Sequence, residues 1–312
     1  MHLTVLAAAH AAPIARATRA AGVFRSHLAR FAAVLLAGLC LSGCSALKLT
    51  YNNAPEVGYW WLDSHVDFRD DQTPVVRAGL TELLAWHRAH ELPLLVGLLE
   101  DAARRASDAV EPAEVCVFGE ALRERLLATA RQAAVPTAGL VKSLDDDQLR
   151  YLEGKFARLN ASYAKDWLEG GADGPRRRRY DKDLERFEDF YGRLDAAQRA
   201  LLREFADRSV FDPRRADVER RRRQREVLEW LRDPAHRAAP EAEVRAAIDA
   251  FARRSLRPET GAWHEYQQAL QQENCRKVAM LHAVMRPEQR ERAAGRLRAY
   301  AQDLRELAAT TP

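Results

Sequence analysis

Between residues 145 and 168, Leu149, Leu152, Phe156, Leu159 and Tyr163 follow one another at alternating steps of three and four. That spacing lines five apolar side chains along one stripe of an α-helix, whereas a strand would scatter them over both faces. A looser version runs through 74–105, where Leu80, Leu84, Leu94 and Leu98 share a face. Helices are also expected at 112–132, 176–193, 195–208, 213–233, 240–254, 258–284 and 287–309. Gly170 to Pro175, Asp212-Pro213, Asp233-Pro234, Pro240, Pro258 and Pro287 mark the breaks. Pro93 should kink the 74–105 helix, because its ring clashes with the carbonyl of Ala89 and it has no N–H to donate. Pro136 is expected to close the 112–132 helix. No stretch alternates apolar and polar residues well enough to make a strand. Charged residues are 30% of the chain and mixed in sign, as suits exposed helices. The expected fold is all-α: an elongated bundle of antiparallel helices with short Pro- and Gly-marked connections, in a single domain over 55–312.

The start of the chain has a different character. Residues 31–41 (Phe31 to Leu41) are apolar and uncharged, too short for a stable transmembrane helix, and preceded by Arg25 and Arg30. They lead into Leu41-Ser42-Gly43-Cys44, which matches the bacterial lipobox. Residues 1–43 are therefore expected to be a removable export signal, and Cys44 the acylated first residue of the mature protein. The leader exceeds the usual 15–30 or so residues, so translation is expected to be able to start near Val23. Ser45, rather than Asp, after the lipidated cysteine resembles Gram-negative lipoproteins sorted to the outer membrane. Residues 44–54 would serve as anchor and tether.

This processing changes the charge balance. The whole chain carries 49 basic and 45 acidic residues, a net charge of +4. The leader holds four arginines and no acid, so the mature protein is formally neutral. A nucleic-acid partner loses its electrostatic support. Of four cysteines, Cys40 is removed and Cys44 acylated. Cys116 and Cys275 remain, and in an oxidising compartment they are expected to pair.

One short pattern recurs: Leu144-Asp145-Asp146-Asp147-Gln148, Leu194-Asp195-Ala196-Ala197-Gln198 and Met285-Arg286-Pro287-Glu288-Gln289. It resembles the LTxxQ motif of Spy/CpxP-type periplasmic chaperones, small helical proteins that cradle unfolded clients, with Thr replaced each time. The same residues also read as helix starts. Asp145 and Asp195 can cap the next turn while Gln148 and Gln198 reach back, a capping box, and Pro287 suits a first helical position.

A longer resemblance rests on the lipobox, Tyr51-Asn52-Asn53-Ala54-Pro55, Trp60-Trp61-Leu62-Asp63, Trp86-His87-Arg88 and Glu91-Leu92-Pro93. It is to an uncharacterised family of Gram-negative lipoproteins, and it implies location and helical class only.

His87, His90 and Glu91 lie within about one helical turn. Such spacing can bind zinc, but the order is HxxHE and no further ligand is evident, so a buried His87–Glu91 hydrogen bond is the plainer expectation. The runs Arg176 to Arg179 and Arg220 to Arg223 can face phosphate-bearing surfaces or pair with neighbouring acids. Trp60 and Trp61 suit a membrane interface or the core, and the polar residues before them favour the core. No catalytic constellation, cofactor motif or metal site is expected. The expected function is a lipid-anchored envelope protein of binding type, holding unfolded or partner proteins. An adaptor lipoprotein of an outer-membrane complex is the alternative, and a metal-dependent enzyme the third reading.

Overall fold

The computed structural model describes residues 45–171 and 173–310. The leader and Cys44 lie outside the described residues. Thirteen helices and no strand occur among them: α1 Ser45–Asn52, α2 Ala54–Val66, α3 Thr73–His90, α4 Leu92–Arg105, α5 Pro112–Lys142, α6 Asp146–Trp167, α7 Asp173–Tyr191, α8 Ala196–Asp207, α9 Pro213–Arg232, α10 Pro234–Ala238, α11 Glu241–Leu256, α12 Gly261–Ala283 and α13 Pro287–Ala309. The fold is an all-α helical bundle. Thr50–Pro312 forms one unit; of the other, Met1–Leu49, the first part of α1 is described.

Most helix starts follow from side-chain chemistry. Asp145, Asp195, Asp212 and Asp233 each sit in extended backbone at a cap and accept amide hydrogens of the next turn. Prolines occupy first-turn positions of α2, α3, α4, α5, α9, α10 and α13, where a missing N–H costs nothing.

The segment 45–52, expected as a tether, is helical. Two other expectations are corrected. The 74–105 helix is two helices: the ladder is interrupted at Glu91, because Pro93 sits in the first turn of α4 and leaves the preceding turn without a donor. Pro136 does not close α5, which continues to Lys142. Here tertiary packing overrides the proline. A Cβ on Gly79 would come within 2.5 Å of Pro136 Cβ, so α3 crosses α5 by setting a glycine against the proline ring. The Thr137 hydroxyl also donates to the Ala133 carbonyl at 2.7 Å, a back-bond that accommodates a bend.

Two apolar cores result. The first joins α5, α6, α9 and α11 through Ala138, Val141, Leu144, Leu149, Leu152, Leu228, Leu231 and Val244. The second joins α7, α8 and α12 through Tyr180, Phe187, Leu194, Leu202, Ala206, Leu281 and Met285. Helix α4 packs along α13, and α5 against α11 and α12.

Candidate functional site

The recurrent motif does more than start helices. Gln198 and Gln289 are both buried and face each other. Gln198 Nε2 donates to Gln289 Oε1 at 2.7 Å, and Gln289 Nε2 donates back at 3.2 Å. Each Oε1 also accepts its own cap's amide, Asp195 N–H and Arg286 N–H, both at 3.0 Å. Each Nε2 spends its second hydrogen on a carbonyl five residues before the opposite glutamine, Val284 at 3.0 Å and Arg193 at 3.3 Å. Arg286 and Asp195 close the outside with an ion pair at 2.8 Å. Both amides are thereby satisfied in full, as burial requires.

Leu144–Gln148 makes the same arrangement with a segment the sequence reading missed, Phe68-Arg69-Asp70-Asp71-Gln72. Gln148 donates to Gln72 Oε1 at 2.7 Å and Gln72 donates back at 3.2 Å. The carbonyls taken are Asp67 at 3.0 Å and Ser143 at 3.1 Å. The ion pair is Arg69–Asp145 at 2.6 Å. Asp67 adopts a left-handed conformation, φ 58°, one that Asp tolerates. The available signal was the five-residue spacing, an apolar residue, then Arg, then Gln three further on, as at Met285–Gln289. We call these arrangements the first clasp (68–72 with 144–148) and the second clasp (194–198 with 285–289).

The second clasp ties the end of α7 to the end of α12, and just before it stand Tyr191 and His282. The Tyr191 hydroxyl lies 2.9 Å from His282 Nδ1, and His282 Nε2 lies 2.8 Å from the Asp108 carbonyl. A carbonyl only accepts, so Nε2 carries the hydrogen and Nδ1 accepts from the tyrosine. Burial lowers the His282 pKa and pushes that of Tyr191 up to about 12. Both are neutral at physiological pH.

This pair stands at the edge of a cavity of about 480 Å³, lined by Leu98, Ala102, Val115, Phe118, Val278 and Leu297 among others, from α4, α5, α12 and α13. Its lining is chiefly apolar. Arg105 crosses its rim, bonding Asp101 at 2.9 Å and Glu114 at 2.6 Å. The Cys116–Cys275 disulfide, Cα–Cα 5.4 Å, pins α5 to α12 next to Val115 and close to Val278, and so holds two walls of the cavity together. Chemically the cavity suits an apolar group. Tyr191, its hydrogen committed to His282, can still accept one hydrogen bond.

His87, His90 and Glu91 do not converge. His87 Nδ1 lies 3.0 Å from the Tyr51 hydroxyl, His90 bonds the Trp86 carbonyl and stacks on its ring, and buried Glu91 faces Arg125 at 3.5 Å. The expected His87–Glu91 hydrogen bond is replaced by the tyrosine contact, because α1 lays Tyr51 beside α3. Asn52 accepts from Arg88 at 2.8 Å, so Tyr51-Asn52 and Trp86-His87-Arg88, distant in sequence, meet. No group of three metal-binding side chains occurs among the described residues. In the second arginine run, Arg220 and Arg221 bond Asp217, while Arg222 and Arg223 bond Glu219. In the first, Arg178 pairs with Asp166 and Arg179 with Glu273. Trp60 and Trp61, expected in the core, are 62% and 61% exposed. No helix among the described residues is long and apolar enough to cross a membrane.

Comparison with curated proteins and with solved structures found no match. Residues 64–243, which span the first clasp and one arm of the second, match a family of unknown function, and the chain is a member of that family, DUF6279.

Proposed function

We propose that this chain is a lipid-anchored envelope protein of binding type, which holds apolar segments of unfolded or partner proteins at the cavity between α4, α5, α12 and α13. The observation that carries the reading is the cavity itself: about 480 Å³, open to solvent, lined by aliphatic and aromatic side chains and braced by a disulfide and a clasp. Such a space takes apolar side chains without needing a cofactor. The lipobox at Cys44 supports attachment to the outer membrane, with three acyl chains making it effectively permanent. The resemblance to LTxxQ chaperones supports client holding. In this chain the glutamines are consumed by the clasps, so those of the second clasp act by bracing the cavity and leave contact to its lining.

Purified protein, without ATP, is expected to suppress aggregation of a chemically denatured test protein at stoichiometric ratio. Val117→Asp should abolish this. Val117 lines the cavity mouth and is 71% exposed, so the charge should leave the thermal midpoint unchanged. Wild-type protein without suppression would sink the holding reading, and co-purification of one stoichiometric partner would favour the adaptor.

A further inference from the structure

Helix α2 inverts the usual surface pattern. Of its thirteen residues, the three left exposed are Val57, Trp60 and Trp61, at 51%, 62% and 61% exposure. Spacings of three and four put them on one face. The helix's polar side chains are engaged elsewhere. Glu56 pairs with Arg77, Asp63 accepts the Phe68 amide at 2.9 Å, and Ser64 Oγ takes Lys155 Nζ at 3.2 Å. On the opposite side Tyr59 is buried, its hydroxyl 2.9 Å from Thr73 and its ring under Arg77. Helix α2 is therefore held on α3 and α6, and its two indoles cannot turn inward without breaking these contacts. The remaining four tryptophans of the chain are all partly covered.

The chain outside the described residues indicates what covers this face. It ends in an apolar run and Leu41-Ser42-Gly43-Cys44. Fifteen residues, sixteen steps of chain, separate Cys44 from Trp60, and nearly all are helical. At helical rise sixteen steps reach no more than about 24 Å, so an acyl chain on Cys44 would keep Trp60 within reach of the bilayer surface that holds it. Indoles favour the interfacial layer, where the ring is sheltered and its N–H stays hydrated.

We propose that Val57, Trp60 and Trp61 form a second membrane contact, seated in the headgroup layer of the bilayer that anchors Cys44 and setting the orientation of the helical unit. This rests on the acylation of Cys44 given above.

The test uses the full chain, expressed in a Gram-negative host, purified from membranes, and reconstituted into phosphatidylethanolamine–phosphatidylglycerol vesicles with brominated acyl chains. Wild-type protein should lose about a third of its tryptophan emission, the share of two among six. Trp60→Ser/Trp61→Ser should stay vesicle-bound with unchanged helical circular dichroism and show no quenching. Val57→Asp, which keeps both indoles, should lessen it. Acylated wild-type protein without quenching, or equal quenching in the double variant, overturns the proposal. An N-terminal mass without acyl groups overturns the anchor and this contact together, which separates the two failures.

Discussion

The two clasps share one design in different surroundings. In both, a buried pair of glutamine amides exchanges hydrogen bonds and takes carbonyls five residues before the opposite glutamine, while an Asp–Arg pair closes the outside. The first is the more heavily bonded. Arg69 also reaches Gln148 Oε1 at 2.9 Å and the Ser143 carbonyl at 3.2 Å, and Gln72 reaches Ser143 Oγ at 3.0 Å. It adjoins the first core through Val141, Leu144 and Leu149. The second adjoins the core that borders the cavity, and a disulfide and the Tyr191–His282 pair stand near it. One junction closes a packed region and the other holds an opening in place. The difference lies in what surrounds the junction.

The disulfide should separate the two regions most strongly. It closes a loop spanning 159 positions, which corresponds to about 4–5 kcal/mol of stabilisation on chain-entropy grounds. Cys116→Ala/Cys275→Ala should lower the thermal midpoint. Hydrogen exchange should rise first in α12 and the cavity walls, and later in α6. Equal loss of protection in both regions would show that the clasps fail together.

Next come the glutamines. Gln198→Leu and Gln148→Leu each strand the buried amide of the facing glutamine, Gln289 or Gln72, at about 1–3 kcal/mol. Chemical denaturation should show the larger loss for Gln148, which also serves Arg69. A double-mutant cycle of Gln198 with Gln289 should give a coupling comparable to the single losses; strict additivity would refute the reciprocal geometry.

Asp145→Ala and Asp195→Ala should each cost about 1 kcal/mol through the lost cap, and by similar amounts, since both caps have the same geometry. Client holding should fall only as far as folding does. If it vanished at an unchanged midpoint, the motif would be a contact site in its own right.

The smallest effect concerns pH. Burial lowers the His282 pKa below its ordinary value. The folded state therefore binds fewer protons than the unfolded one, so this stabilisation is present above about pH 6.5 and is lost as pH falls below it. Denaturation midpoints between pH 7.5 and 5.5 should decline in the wild type and decline less in His282→Gln, where His87, also lowered by burial, keeps the remainder.

Much of the helical content could be read locally. The stripe from Leu149 to Tyr163 and the caps at Asp145 and Asp195 involve neighbours within one or two turns, and α6 and α8 begin within a residue of where those signals put them. Cys116 and Cys275 could be named by elimination. What stayed hidden depends on distant partners. Nothing near Pro136 announces that Gly79 will make room for it. Phe68–Gln72 escaped notice because Arg69 is a poor cap and α3 begins only at Thr73. The cavity joins residues from Leu98 to Leu297, which no window along the chain could collect. Trp60 and Trp61 were misjudged because local periodicity identifies a helix face without saying what covers it.

The clasps also act as an address system. Four five-residue segments can be matched in pairs in three ways. Two carry aspartate (Asp145, Asp195) and two carry arginine (Arg69, Arg286) at the same position, and each observed clasp joins one of each kind. Matching like with like would set two carboxylates against each other and two guanidiniums against each other, which removes one mispairing outright. The other, Arg69 with Asp195 and Asp145 with Arg286, satisfies charge equally well. Rejecting it falls to the cores, where Leu144 and Leu194 belong to different sets of neighbours. A chain in which Asp145 and Arg69 exchanged identities, with Asp195 and Arg286 untouched, would keep every cap glutamine and preserve both correct matches. It would then favour a different wrong one, and so reveal whether charge or packing sorts the helices.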